Sequence, residues 1–158
     1  MPRTHVYELT VTWTGNLGSG TSGYRSYDRE HEVTAHRRPI LLGSSDPSFR
    51  GDATRWSPEQ LLVAALSQCH MLWYLHLAAD RGVVVNEYVD HAVGVMTEDA
   101  AGLGQFTGVT LRPVVGVANA SMVVAARAAH ADANAMCFIA RSVRFPVRHE
   151  PRVAISPG

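Results

Sequence analysis

Lysine is absent from the 158 residues: the cations are 14 arginines, matched by 14 acidic residues for a formal net charge of +0. A balanced chain lacks the basic footprint that nucleic acid or an anionic membrane surface selects, so the expected partner is a small molecule, with neither nucleic acid nor membrane. Cysteine is scarce. Cys69 and Cys137 are the only two, with no CxxC between them, which excludes a zinc ribbon or a thioredoxin-type motif. There is no HExxH, no GxSxG and no GxxxxGK[ST], so metalloprotease, serine-hydrolase and P-loop readings have no anchor, and no cofactor or metal is expected. Among the eight histidines, His70 and His76 fall six apart rather than the three or four a helical zinc pair needs, and they read as solvated or core residues. The N-terminal MPRTHVYELTV has no basic segment followed by an apolar run, and a cytoplasmic protein is expected. In that reducing compartment the cysteines are reactive or simply buried rather than a permanent bridge.

What the chain does have is one dominant helix. Ser57 is a good N-cap, Pro58 gives up an N–H that has no intrahelical partner, and Gln60 completes a capping box, so the helix is expected to begin at Pro58. Beyond Leu61 it is apolar nearly all round, which places it in a core, and Gly82 is positioned to end it. Ser67, Gln68, His70, Tyr74 and His76 interrupt the apolar run and argue against a membrane span.

Around that helix the pattern is mostly β. Residues 4–14 and 24–35 alternate as strands, with a Gly-rich turn between them, and make a hairpin. Residues 37–56 read as a long loop of the kind that carries function. Two β-rich runs, 83–99 and 104–119, form a second hairpin or meander, in which Pro113 marks an edge or a bulge. Residues 121–136 are Ala-rich and helical, residues 137–143 form a short helical segment, and 145–155 read as one closing strand. The expected architecture is a single α+β domain over 1–158, an antiparallel sheet covering a buried helix.

From spacing alone Cys69 is a small core hydrophobe, and so is Cys137. Cys69 lies twelve residues beyond Ser57, outside the reach of the helix dipole. If it is a nucleophile, a cation must hold its thiolate; Arg50, Arg55 and Arg25 are the candidates, and Glu59 could fix such an arginine by a bidentate pair.

The stretch SPEQLLVAALSQC, with Glu59 ten residues before Cys69, and the later cysteine in CFIARSVRFPV resemble the OsmC/Ohr family of organic hydroperoxide reductases. The resemblance implies an OsmC-like fold: antiparallel sheets around a long central helix, in an intertwined homodimer with sites at the subunit interface. It implies that Cys69 is the peroxidatic thiolate and Cys137 the resolving thiol, joined as a disulfide after turnover. It implies further that Arg50, with Arg25 or Arg55 as the alternatives, stabilises the thiolate and is oriented by Glu59. An organic hydroperoxide needs an apolar site, for which Phe49, Leu66, Met71, Trp73 and Phe138 are available, and an external dithiol, such as a lipoyl group, would reduce the disulfide. The competing expectation is a non-catalytic relative that binds a small apolar molecule or serves in stress.

Overall fold

The computed structural model describes residues 1–156, in two compact units that divide at Leu61. The first, Met1–Leu61, is a three-stranded antiparallel sheet of β1 (Thr10–Trp13), β2 (His31–Thr34) and β3 (Leu41–Gly43), in the order β1-β2-β3. Val11 pairs with Val33 and Trp13 with His31, and His31 in turn sits opposite Gly43. A Cβ on residue 43 would lie 2.3 Å from His31 Nε2, so a larger residue there requires the imidazole to move aside. The strands are shorter than the alternation suggests, and β3 arises inside the stretch read as loop. Residues 18–23, GSGTSG, have the GxGxxG spacing of a dinucleotide loop, yet they join two antiparallel strands and no helix follows, so they are a plain connection.

Helix α1 (Pro58–Asp80) begins where its capping box puts it. Gln60 N donates to Ser57 Oγ and Ser57 N donates to Gln60 Oε1, at 3.2 and 3.0 Å. Its end is equally local. Gly82 adopts φ +68°, its N–H bonds to Ala79 O, and Val83 N–H reaches back to Ala78 O, a Schellman closure with Val83 buried beside Ala78.

The second unit, from Leu62 onward, holds two three-stranded sheets. One has the order β4-β7-β9, from Val85–Asp90, Pro113–Val117 and Arg152–Ile155; the other has β5-β6-β8, from Val93–Glu98, Gly104–Leu111 and Val147–His149. Each sheet is mixed rather than wholly antiparallel: β4–β7 and β5–β6 are antiparallel, whereas β7–β9 and β6–β8 are parallel. A parallel pair needs a long crossover, and α2 (Val123–Met136) supplies it.

The sheets are separated by chain breaks at prolines. The expected closing strand is two strands, split at Glu150-Pro151, which lay down in different sheets. Pro113 likewise opens β7, a central strand, where a first residue needs no ladder N–H; it marks neither an edge nor a bulge. Against the β4-β7-β9 sheet, Ala126, Ala129 and Ala133 of α2 are fully buried with Val115, Val117 and the Tyr74–Ala78 end of α1. A smaller cluster of Leu66, Val109 and Leu111 packs with Ile139, Phe145 and Val147.

Within one chain α1 is not buried all round. Its enclosed stripe is Leu66, His70, Tyr74 and Ala78, an i, i+4 row, while Leu72 remains 61 % exposed.

Candidate functional site

The second unit brings the two cysteines together. Cys69 is half-buried in the middle of α1; Cys137 is buried at the C-cap of α2, and both thiols are free. Burial pushes the Cys137 thiol up to about 11; the Ala140 N–H, 3.4 Å from its sulfur, works against that, and the neighbouring Cys69 adds to it. Cys137 is therefore a protonated thiol at neutral pH, facing a half-open Cys69. The two sulfurs have unequal environments: one is reachable and the other is sealed beneath it.

An aromatic wall flanks the pair. Trp73 lies one helical turn beyond Cys69 and so on the same face of α1. Its ring meets Phe138, the neighbour of Cys137, edge to face at 5.5 Å. Leu72, Trp73 and His76 line a shallow cleft of about 310 Å³. Leu66, expected at the substrate site, is fully enclosed with Val109 and Leu111 within the chain. The reason is periodicity: residue 66 falls on the buried i, i+4 row, four before His70.

In the first unit, Phe49 closes a short 3-10 turn, Pro47–Phe49, and is half-buried, with its carbonyl accepting from Ser45 Oγ at 3.1 Å. Arg50 follows with left-handed backbone at φ 65°; its guanidinium is exposed and 5.9 Å from the Tyr24 ring. Arg25 is exposed. Arg55 is bound instead, at 3.2 Å to Glu30 and 3.7 Å to Asp52. Glu59 forms no ion pair with any arginine among the described residues, and its Oε2 is sealed from solvent without a partner. The expected Glu59–arginine pair is thus not formed within the chain. Arg55 takes Glu30 because the β1–β2 connection delivers that carboxylate to it, a tertiary contact that no local spacing reveals.

Two features escaped the sequence reading. Arg29 is fixed by its neighbours: it donates to Tyr27 O and Tyr24 O at 2.5 and 2.7 Å and lies over both tyrosine rings at 4.1 and 4.5 Å. It lines a cavity of about 350 Å³ with Trp13, Tyr27, His31 and Pro58. The alternation of YRSYDREHEV hid this, since it reads as strand while the structure coils it around the guanidinium. The second is a buried histidine pair. His70 Nε2 and His130 Nδ1 are 3.0 Å apart, both rings fully enclosed, with His149 close by. Among the described residues no group of three or more His, Cys, Asp or Glu is arranged to hold a metal ion.

A half-open cysteine set against a sealed one, on a long helix within an α+β fold, defines a two-thiol class of domain. The family description "OsmC-like protein" matches residues 51–152, and the chain belongs to the OsmC-like family. An OsmC-like protein of unknown function from Vibrio cholerae is 30% identical, superposes with a TM-score of 0.84, and is covered over 99% of its length by 94% of this chain. An organic hydroperoxide resistance protein from Elizabethkingia anophelis shares the fold at 15% identity and a TM-score of 0.67, over 98% of this chain and 100% of that one. The organic hydroperoxide resistance protein OsmC of Legionella pneumophila does so at 17% and 0.67, over 96% and 100%. No curated protein matches the chain significantly. By length and composition α1 is apolar enough to cross a membrane, and polar His70 and Tyr74 lie on its buried row.

Proposed function

We propose that the protein is a cysteine-based peroxidase that reduces organic hydroperoxides to alcohols. The observation that carries this is the inequality of the thiols: Cys69 is half-buried, whereas Cys137 is buried with its thiol pushed up to about 11. The Cys69 thiolate attacks the outer peroxide oxygen, the O–O bond breaks, and the alkoxide leaves as an alcohol after taking a proton. Cys69 is then a sulfenic acid. Cys137 sulfur attacks it, hydroxide leaves as water, and a disulfide forms. An external dithiol, of which a lipoyl group is one, returns both thiols by exchange.

Arg50 is the proposed cation at the thiolate, with Arg25 and Arg55 as alternatives, and Glu59 its orienter. The buried, unpartnered Glu59 Oε2 supports this, since a carboxylate oxygen without a donor is costly unless one arrives in the assembled protein. Trp73, Phe138 and Phe49 are the proposed apolar contacts. The assembly is a homodimer of single domains, each spanning 1–158, and a cytoplasmic one. The exposed apolar flanks of α1 and the wholly exposed β1, with Val11 60 % and Trp13 44 % accessible, support a second copy.

A non-catalytic, ligand-binding reading draws on the raised pKa of Cys137, which slows its attack at neutral pH. Peroxide consumption with several dithiols decides. Catalysis requires that Cys69→Ser abolish turnover while Cys137→Ser stops at the sulfenic acid; multi-turnover reduction by Cys69→Ser defeats the proposal.

A further inference from the structure

Beneath the thiols, α1 and α2 are joined by histidines. His70 directly follows Cys69, and His130 lies seven residues, about two helical turns, before Cys137. The ring planes are parallel within 7° and linked by the 3.0 Å contact between His70 Nε2 and His130 Nδ1. One N–H donates to the other ring's lone pair, so the contact has a direction and a single register. Tyr74, one turn beyond His70, stacks on His130 at 4.0 Å. The other groups facing the pair are His149 on β8 and Asp90 on β4, with Tyr88 beyond Tyr74.

The pair carries a cost. His70 Nδ1 and His130 Nε2 are sealed from solvent without partners, which two apolar side chains of similar volume would avoid. What a buried hydrogen bond adds over apolar packing is angular definition. Disulfide formation needs that definition, because a sulfur displaced by little more than an ångström loses bonding geometry.

We infer that the His70–His130 hydrogen bond is a positioning device: it fixes the rotation and slide of α2 on α1 so that the Cys137 sulfur stays aimed at Cys69. This rests on reading the two cysteines as a disulfide-forming pair.

Amide isosteres test it. Glutamine can present its amide N–H where histidine carries Nε2, and asparagine can present its amide oxygen where histidine carries Nδ1, so one donates and the other accepts. His70→Gln with His130→Asn therefore preserves the contact, while His70→Asn with His130→Gln has the same amide content and breaks it. The readout is the equilibrium of the reduced full-length protein with oxidised glutathione, which yields the Cys69–Cys137 disulfide and two reduced glutathiones, resolved by mass after alkylation. The matched pair is expected to stay near wild type, and the crossed pair to lose about tenfold in the equilibrium constant. Equal constants for the two pairs would overturn the inference. If the crossed pair does not fold, single His130→Gln, which removes only the Nδ1 contact, carries the same expectation and the same contrary result. A wild type that forms no disulfide removes the thiol-pair reading itself, and this inference with it.

Discussion

His70 and His130 face each other as neutral rings in the core of the second unit, hydrogen-bonded at 3.0 Å. Burial is the leading cause that holds His70 at about 4 and His130 at about 3; the neighbouring histidines add to it, and Asp90 opposes it at His70. Unfolded, each titrates near 6.5. Below that pH the unfolded chain binds protons that the folded chain refuses, so stability is complete above about 6.5 and falls as the pH drops toward 4 and 3. Melting temperatures measured across this window should decline in wild type and decline less in His70→Gln with His130→Asn. Identical slopes would show that other groups carry the acid sensitivity.

Trp73 and Phe138 form an apolar wall on one side of Cys69. Trp73→Ala is expected to raise KM for a bulky hydroperoxide such as cumene hydroperoxide by roughly tenfold, in line with the loss of a contacting aromatic group. Hydrogen peroxide, which has no tail to bury, should be affected much less. Steady-state kinetics on both substrates reads the difference, and a uniform loss would place Trp73 in the fold rather than at the substrate.

Arg50 and Arg55 can be separated. Arg55 is ion-paired with Glu30, whereas Arg50 is exposed with no carboxylate within 4.0 Å among the described residues. Arg50→Met should slow iodoacetamide alkylation of Cys69 at neutral pH by about tenfold while leaving the fold intact. Arg55→Met should chiefly lower stability by freeing Glu30. The opposite pattern would transfer the role to Arg55.

Helix α1 is bounded by local devices whose strength is separable from chemistry. Ser57→Ala removes the acceptor for Gln60 N and should cost about 1 kcal/mol. Gly82→Ala, at φ +68°, should cost about 1–2 kcal/mol. Urea unfolding at fixed protein concentration measures both, and neither change should alter the disulfide equilibrium.

These same devices show why α1 was legible in the sequence. Ser57, Pro58, Gln60 and Gly82 act within a few residues of themselves, so their spacing suffices. Cys69 and Cys137 were legible as a pair only through the family's motif, because nothing local brings residues 68 apart into contact. What stayed hidden depends on tertiary choice. Pro113, read as an edge or a bulge, and Pro151, inside a stretch read as one strand, divide the chain between two sheets. Leu66 and Trp73 are both apolar residues of α1, and only the identity of its buried row separates the core residue from the wall of the site. His70 and His130 lie 60 residues apart on different helices, so no metal-type spacing could reveal them as partners.

The role of Cys69 is tested most directly by adding one equivalent of cumene hydroperoxide to the fully reduced protein under anaerobic conditions, followed by peptide mapping without reductant. The proposed chemistry requires a Cys69–Cys137 disulfide and one alcohol released per disulfide, with Cys137→Ser stopping at a Cys69 sulfenic acid that dimedone traps. Peroxide left unconsumed, with both thiols still free, would contradict it.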